Sequence, residues 1–132
     1  MTSLIKIVSA LLVLSSTLLA LEWANDLDAA IITAQKEHKN IMVLVEGEHC
    51  SWCKKMKEDT LSDESIEKRL STYVVVKVMR EDGNAMAKLP PVNGVPTTFF
   101  MKEDKAILEN IVGYFNVQDF TSYINAVETK LK

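Results

Sequence analysis

Two cysteines, Cys50 and Cys53, stand close together in Glu46-Gly47-Glu48-His49-Cys50-Ser51-Trp52-Cys53-Lys54, and the chain holds no others. Directly before them runs Ile41-Met42-Val43-Leu44-Val45, apolar without a break, the pattern of a fully buried strand. After them, Lys54 to Leu61 has helix-forming composition, with Met56 and Thr60 on one side. The thiols therefore fall at a strand-to-helix junction, with Cys50 near the helix N-terminus. Backbone N–H groups and the helix dipole favour negative charge there, so a thiolate at Cys50 is stabilised. A C-x-x-C in that place reads first as a redox motif.

With 132 residues the chain is one domain, large enough to bury a core without staples. Its opening, Met1-Thr2-Ser3-Leu4-Ile5-Lys6, carries one positive charge, and Ile7 to Leu19 is apolar apart from Ser and Thr. Ala20 offers a cleavage site, although Leu18 is bulky where a small residue is preferred. Residues 1–20 are expected to be a secretory signal peptide and 21–132 the folded domain. The apolar run, roughly 13 residues, is shorter than the ~20 of a spanning helix. An uncleaved anchor stretched from Leu4 to Leu21 is the alternative. Loss of Lys6 would take the net charge from −3 to −4, and no basic patch stands out, so nucleic acid is not an expected partner.

Export changes what the cysteines mean, because outside the cytosol a close pair can be a permanent structural bridge. A bridge across so short a loop stabilises a fold little, however, and redox chemistry is the favoured reading. Asn25 or Asp26 can cap a first helix, with Leu27, Ala30, Ile31, Ala34 and His38 along one face and Lys39-Asn40 at its end. Helix Ser51–Leu61 follows the cysteines, and Asp63 starts a short helix with Ile66 and Leu70 facing inward. Tyr73–Met79 is a β-branched central strand, and Glu81-Asp82-Gly83-Asn84 a turn. Ala85 to Leu89 has room for one helical turn before Pro90-Pro91. Thr97–Met101 and Ile107–Val112 read as an antiparallel hairpin broken by Gly113. Asn116 and Asp119 open a last helix with Val117, Phe120, Ile124, Val127 and Leu131 on one face. Parallel strands joined by helices, with a terminal hairpin, predict a three-layer α/β fold with a mixed sheet.

Cys50-Ser51-Trp52-Cys53 between strand and helix, Val95-Pro96-Thr97 entering a later strand, and Gly113 after the hairpin together resemble the thioredoxin superfamily. Within it, Cys-x-x-Cys-Lys-Lys-Met followed by Thr-Leu-Ser-Asp is similar to exported single-domain thioredoxins and to the C-terminal domain of the transmembrane reductase DsbD. The resemblance implies a thioredoxin-like fold and a cis proline at Pro96 against the disulfide. It also implies that Val95 offers backbone groups to an extended substrate, beside Gly113. Two departures stand out. The buried aspartate usual six residues before the first cysteine is Leu44, and the glutamate of DsbD-like domains is Lys57. Of the nearby acids Glu46, Glu48 and Glu58, the strand-ending Glu46 is favoured as a replacement, against the plainer reading of an exposed acid.

The mechanism implied is attack of Cys50 on a substrate disulfide, followed by attack of Cys53 on Cys50 sulfur to release reduced substrate. His49 is a candidate for tuning Cys50, and Trp52 for a flat apolar contact with substrate. Lys54, Lys55 and Lys57 read as a solvated helix face. Ser51 and Trp52 put no positive charge between the cysteines, which favours a reductase over an oxidase, and an isomerase comes third because such enzymes usually gain a dimerisation domain for which 132 residues leave no room. No cofactor beyond the Cys50–Cys53 dithiol is expected. Protein disulfides are the expected substrates, a membrane thiol donor of the DsbD type the source of electrons, the periplasm the location, and a monomer the working form. The rival of another class is a metal carrier using His49, Cys50 and Cys53, but only three donors are grouped and no second cluster exists. A binding module with a structural disulfide is the third class weighed.

Overall fold

The computed structural model describes residues 20–132. The expected signal peptide lies outside the described residues, save Ala20. The fold is a mixed α/β sandwich of three layers. Its sheet has the order β1-β3-β2-β4-β5, with β1 at Trp23–Ala24, β2 at Asn40–Glu46, β3 at Tyr73–Met79, β4 at Thr97–Met101 and β5 at Ile107–Val112. Strands β1, β3 and β2 run parallel, and β4 and β5 antiparallel to their neighbours. The unbroken apolar run before the cysteines forms most of β2, the central strand, and Ile41 to Val45 are wholly buried.

Alternation along β2 sorts its side chains into two cores. Ile41, Val43 and Val45 pack with Val76, Phe99 and the α1 residues (Leu27–Glu37) Leu27, Ala30, Ile31 and Ala34. Met42 and Leu44 pack on the opposite face with Met56, Ile66, Phe100, Phe120 and Ile124. That second layer is built from α2 (Ser51–Lys55), which continues through a π-helical turn at Met56–Thr60, with α3 (Glu64–Leu70) and α5 (Val117–Lys130). The single turn α4 is Gly83–Met86. Among the described residues no helix is long and apolar enough to cross a membrane.

Helix starts follow their caps. Asp26 accepts the Ala29 N–H at 2.7 Å, and Asn116 accepts that of Asp119 at 2.9 Å. The helical turn expected at Ala85–Leu89 lies at Gly83–Met86 instead, capped by Asp82, and three more details differ from the sequence reading. His38 is not on the apolar face of α1; it is the left-handed cap at φ 54°, exposed, with Nδ1 3.3 Å from Glu103. Leu131 falls past the end of α5 and is 40% exposed, leaving Phe120, Ile124 and Val127 as the buried stripe. Strand β1 has only two residues, too few for any alternation to register, and is defined by pairing with Val75 and Val76.

Candidate active site

The chain leaves β2 at Glu46 and turns sharply into α2. Two bonds hold this turn to the segment after β3: the Arg80 N–H donates to the Glu46 carbonyl at 2.8 Å, and the Glu48 N–H to the Glu81 carboxylate at 3.3 Å. Space is tight at Gly47, where a Cβ would stand 3.1 Å from Val95 Cγ2 and 3.2 Å from Arg80 Nε, so a side chain there would make these neighbours give way by a few tenths of an ångström. His49 takes a left-handed φ of 55°. The turn delivers Cys50 as the cap of α2, its sulfur accepting the Cys53 N–H at 3.1 Å. Cys50 and Cys53 are joined in a disulfide, Cα atoms 5.2 Å apart. Their exposure is unequal, Cys50 being half-buried and Cys53 only 2% exposed.

Two other segments meet this turn and the helix it opens. The Val95–Pro96 bond is cis and leads into β4, with Val95 against Gly47. The Gly113 N–H donates to the Pro96 carbonyl at 2.8 Å, and its φ of 107° is one that a side chain would resist. Trp52 is 55% exposed, and its indole lies 5.6 Å from the Tyr114 ring, centroid to centroid. Lys55 Nζ sits 5.2 Å from the Trp52 ring and 5.1 Å from the Tyr114 ring. Lys55, read from the sequence only as part of a solvated lysine face, reaches Trp52 because it stands three residues further along the same helix; Tyr114 carries no signal in the sequence, and only the fold brings it to Trp52.

Glu46 is buried, 7% exposed, and so is not the exposed strand-end acid of the plainer reading. Lys57 Nζ lies 2.5 Å from its Oε1. This corrects the reading of Lys54, Lys55 and Lys57 as one solvated face. Lys54 alone of the three makes an exposed i,i+4 pair, with Glu58 at 3.8 Å. Lys57 follows Cys53 by four residues, about one helical turn, and so lies on the side of the helix that carries the inner sulfur. The helix then widens into a π turn, in which the Leu61 N–H reaches five residues back to the Met56 carbonyl at 2.9 Å, with no Pro or Gly to announce it. Leu44 sits in the apolar core on the α2 face.

Glu46, His49, Cys50, Cys53, Lys57 and Met79 line one open cleft. A larger cavity of about 700 Å³ lies at the other end of the parallel strands, against Trp23, Lys39 and Tyr73, away from the cysteines. Among the described residues no three His, Cys, Asp or Glu side chains are grouped to hold a metal ion, so His49, Cys50 and Cys53 do not form such a set.

A family model described as a thioredoxin-like domain matches residues 27–128. The chain belongs to the thioredoxin superfamily. Comparison with curated proteins gives no significant match. Among solved structures, a thioredoxin from Thermus thermophilus is similar at 23% identity and TM-score 0.71, covering 84% of this chain and 89% of its own. The oxidised C-terminal domain of DsbD from Neisseria meningitidis is similar at 23% identity and TM-score 0.63, over 79% of this chain and 97% of that one. The periplasmic thioredoxin SoxS from Paracoccus pantotrophus aligns at 15% identity and TM-score 0.58, over 71% of this chain and all of its own. The thioredoxin-like fold with its Cys50–Cys53 disulfide supports a thiol–disulfide oxidoreductase. Chemically, one accessible sulfur beside one buried sulfur suits exchange in two steps, the first with an outside thiol or disulfide and the second internal.

Proposed function

We propose that this protein is an exported reductase of protein disulfides. The observation that carries the reading is the inequality of the two sulfurs: Cys50 faces the cleft at the start of α2, and Cys53 is 2% exposed behind it. The Cys50 thiolate attacks a substrate disulfide, one substrate sulfur leaves with the bonding pair and is protonated, and a mixed disulfide forms. Cys53, as thiolate, then attacks Cys50 sulfur, the substrate's second sulfur leaves, and the Cys50–Cys53 disulfide closes. Substrate gains two electrons and two protons, and the dithiol loses them.

Direction follows from charge. Ser51 and Trp52 add no cation between the cysteines, so the thiolate rests on the helix start and His49, with a slight contribution from Lys54 and Lys57, which line the cleft and are each paired with a glutamate. Moderate stabilisation of the reduced form leaves the disulfide form comparatively stable, which makes the dithiol a donor. Trp52, Val95, Pro96 and Gly113 form the surface for an extended substrate. Residues 1–20 act as the export signal, and the domain works as a periplasmic monomer recharged by a membrane thiol donor of the DsbD type. Similarity to the DsbD C-terminal domain and to periplasmic SoxS supports this setting. The dithiol is the only redox group the chemistry requires.

The test is reduction of insulin with dithiothreitol as the electron source. The protein is expected to accelerate precipitation of the insulin B chain, and Cys50→Ser to abolish the effect. No acceleration over dithiothreitol alone would overturn the reading.

A further inference from the structure

Resting on the reading of a protein-disulfide reductase, we infer that Lys55 selects among substrates, favouring a disulfide whose attacked cysteine has an aspartate or glutamate beside it in sequence. The helix that carries the cysteines bears three lysines, and their charges are met differently. Lys54 stands 3.8 Å from Glu58, and Lys57 is paired with the buried Glu46. Lys55 is exposed and makes no ion pair among the described residues. Asp59, four residues on and spaced for such a pair, is met instead by the Tyr114 hydroxyl, 3.4 Å from its Oδ2. The Lys55 ammonium lies over two ring faces, 5.2 Å from the centre of Trp52 and 5.1 Å from that of Tyr114.

An ammonium over a ring face keeps its charge. The ring attracts it but carries no net negative charge to cancel it. An ammonium has three donors, and those turned away from the rings stay open to a ligand. The two rings also restrain a flexible stem, so an arriving anion costs less side-chain entropy than it would at a free lysine. Together these groups make a patch with a flat apolar floor and one localised positive charge. A carboxylate beside an apolar contact fits that patch. A second ammonium does not, because Lys55 repels it and already covers the ring faces.

The patch stands where a bound segment passes. Trp52 lies between the two cysteines in sequence, and Tyr114 follows Gly113, whose N–H holds the Pro96 carbonyl at 2.8 Å. A segment joined through its cysteine to Cys50 and laid over the indole brings a residue next to that cysteine within reach of Lys55. Other charges nearby are already engaged or lie elsewhere. Glu58 is paired with Lys54, and Asp59 is at the Tyr114 hydroxyl. Glu48 and His49 line the cleft, whereas neither Trp52 nor Lys55 does. The chain's net negative charge gives acidic segments no general attraction, so the preference rests on this one local cation and weakens with added salt.

The test uses peptides with a single cysteine flanked on both sides by glutamate, by glutamine or by lysine, each joined through that cysteine to 5-thio-2-nitrobenzoate. The Cys50 thiolate of the reduced protein attacks the peptide sulfur, and the coloured thiolate leaves with the bonding pair, so stopped-flow absorbance reads the rate constant. Dividing by the rate of the same peptide with dithiothreitol removes the peptide's own reactivity. At low salt the glutamate peptide is expected to react about 3–10-fold faster than the lysine peptide, with glutamine between them. Lys55→Met should bring that ratio close to one, Lys55→Glu should invert it, and Lys55→Arg should keep it. Added salt should shrink it in the wild type. A wild-type ratio near one, or a ratio that Lys55→Met leaves unchanged, overturns the inference and leaves Lys55 as a support for the indole. Failure of the reduced wild type to release the coloured thiolate from any peptide would instead overturn the dithiol reading itself.

Discussion

Trp52 and Tyr114, sixty-two positions apart in sequence, meet with ring centroids 5.6 Å apart and share the Lys55 ammonium above both rings. The contact joins the cysteine helix to the segment after β5, immediately beside Gly113. It makes an aromatic surface on the cysteine helix without burying the indole, since Trp52 remains 55% exposed. A flat, exposed indole held in place is suited to an extended protein segment and superfluous for a small disulfide.

Trp52→Ala is therefore expected to lower kcat/KM for a protein disulfide such as insulin roughly 5–30-fold, a loss of about 1–2 kcal/mol typical of an exposed aromatic anchor. Activity toward a small aromatic disulfide should change less than about two-fold. Steady-state kinetics on both substrates checks this. Equal losses would place Trp52 in the chemistry, and no loss on insulin would remove it from substrate contact.

The division of labour between the sulfurs gives a second expectation. In the reduced protein, Cys50 should alkylate with iodoacetamide at least ~10-fold faster than Cys53, because it lies at the helix start and opens to the cleft. Cys53→Ser should accumulate mixed disulfides with substrate, while Cys50→Ser should form none. Mass spectrometry of timed alkylation mixtures decides between this and equal reactivity.

The fold was legible because its strongest signals were local. The apolar run Ile41–Val45 could only be a central strand, and the caps Asp26, Asp63 and Asn116 marked helix starts at their own positions. The positions around the cysteines were legible for the same reason: Cys50 and Cys53 are neighbours in sequence, and Pro96 and Gly113 punctuate strand ends. What escaped depends on contacts between distant segments. Lys57 looked like one member of a lysine face until the packing of the helix on β2 set it against Glu46, and Tyr114 carried no mark of its approach to Trp52. The tight fit at Gly47, too, comes from Val95 and Arg80, distant in sequence. The two-residue β1 had no pattern to read.

Asp63 links stability to pH. It caps α3, accepting the Ser65 N–H at 2.9 Å, the Ser65 hydroxyl at 2.5 Å and the Ile66 N–H at 3.4 Å. The Ser65 hydroxyl bond is the main cause that holds its carboxyl below the ordinary 3.8, with desolvation acting against it and the backbone bonds adding to the lowering. A depressed value in the fold means that the ionised cap contributes stability above the unfolded value and loses it as pH falls through the folded one. Asp63→Asn retains an acceptor without the charge. Its Tm should lie about 1–3 °C below the wild type at pH 7, and the gap should close below about pH 3. Thermal melts across that range check it; a gap that stays constant down to pH 2 would contradict the charge's role.

The central claim, that the Cys50–Cys53 pair donates electrons, is tested most directly by its equilibrium reduction potential against a glutathione or dithiothreitol buffer. With no cation between the cysteines and the Cys50 thiolate resting chiefly on the helix start and His49, the account predicts a value on the order of −200 to −270 mV, between glutaredoxins and thioredoxin. A value above about −150 mV, toward the strongly oxidising range, would make the protein an oxidant and contradict the account.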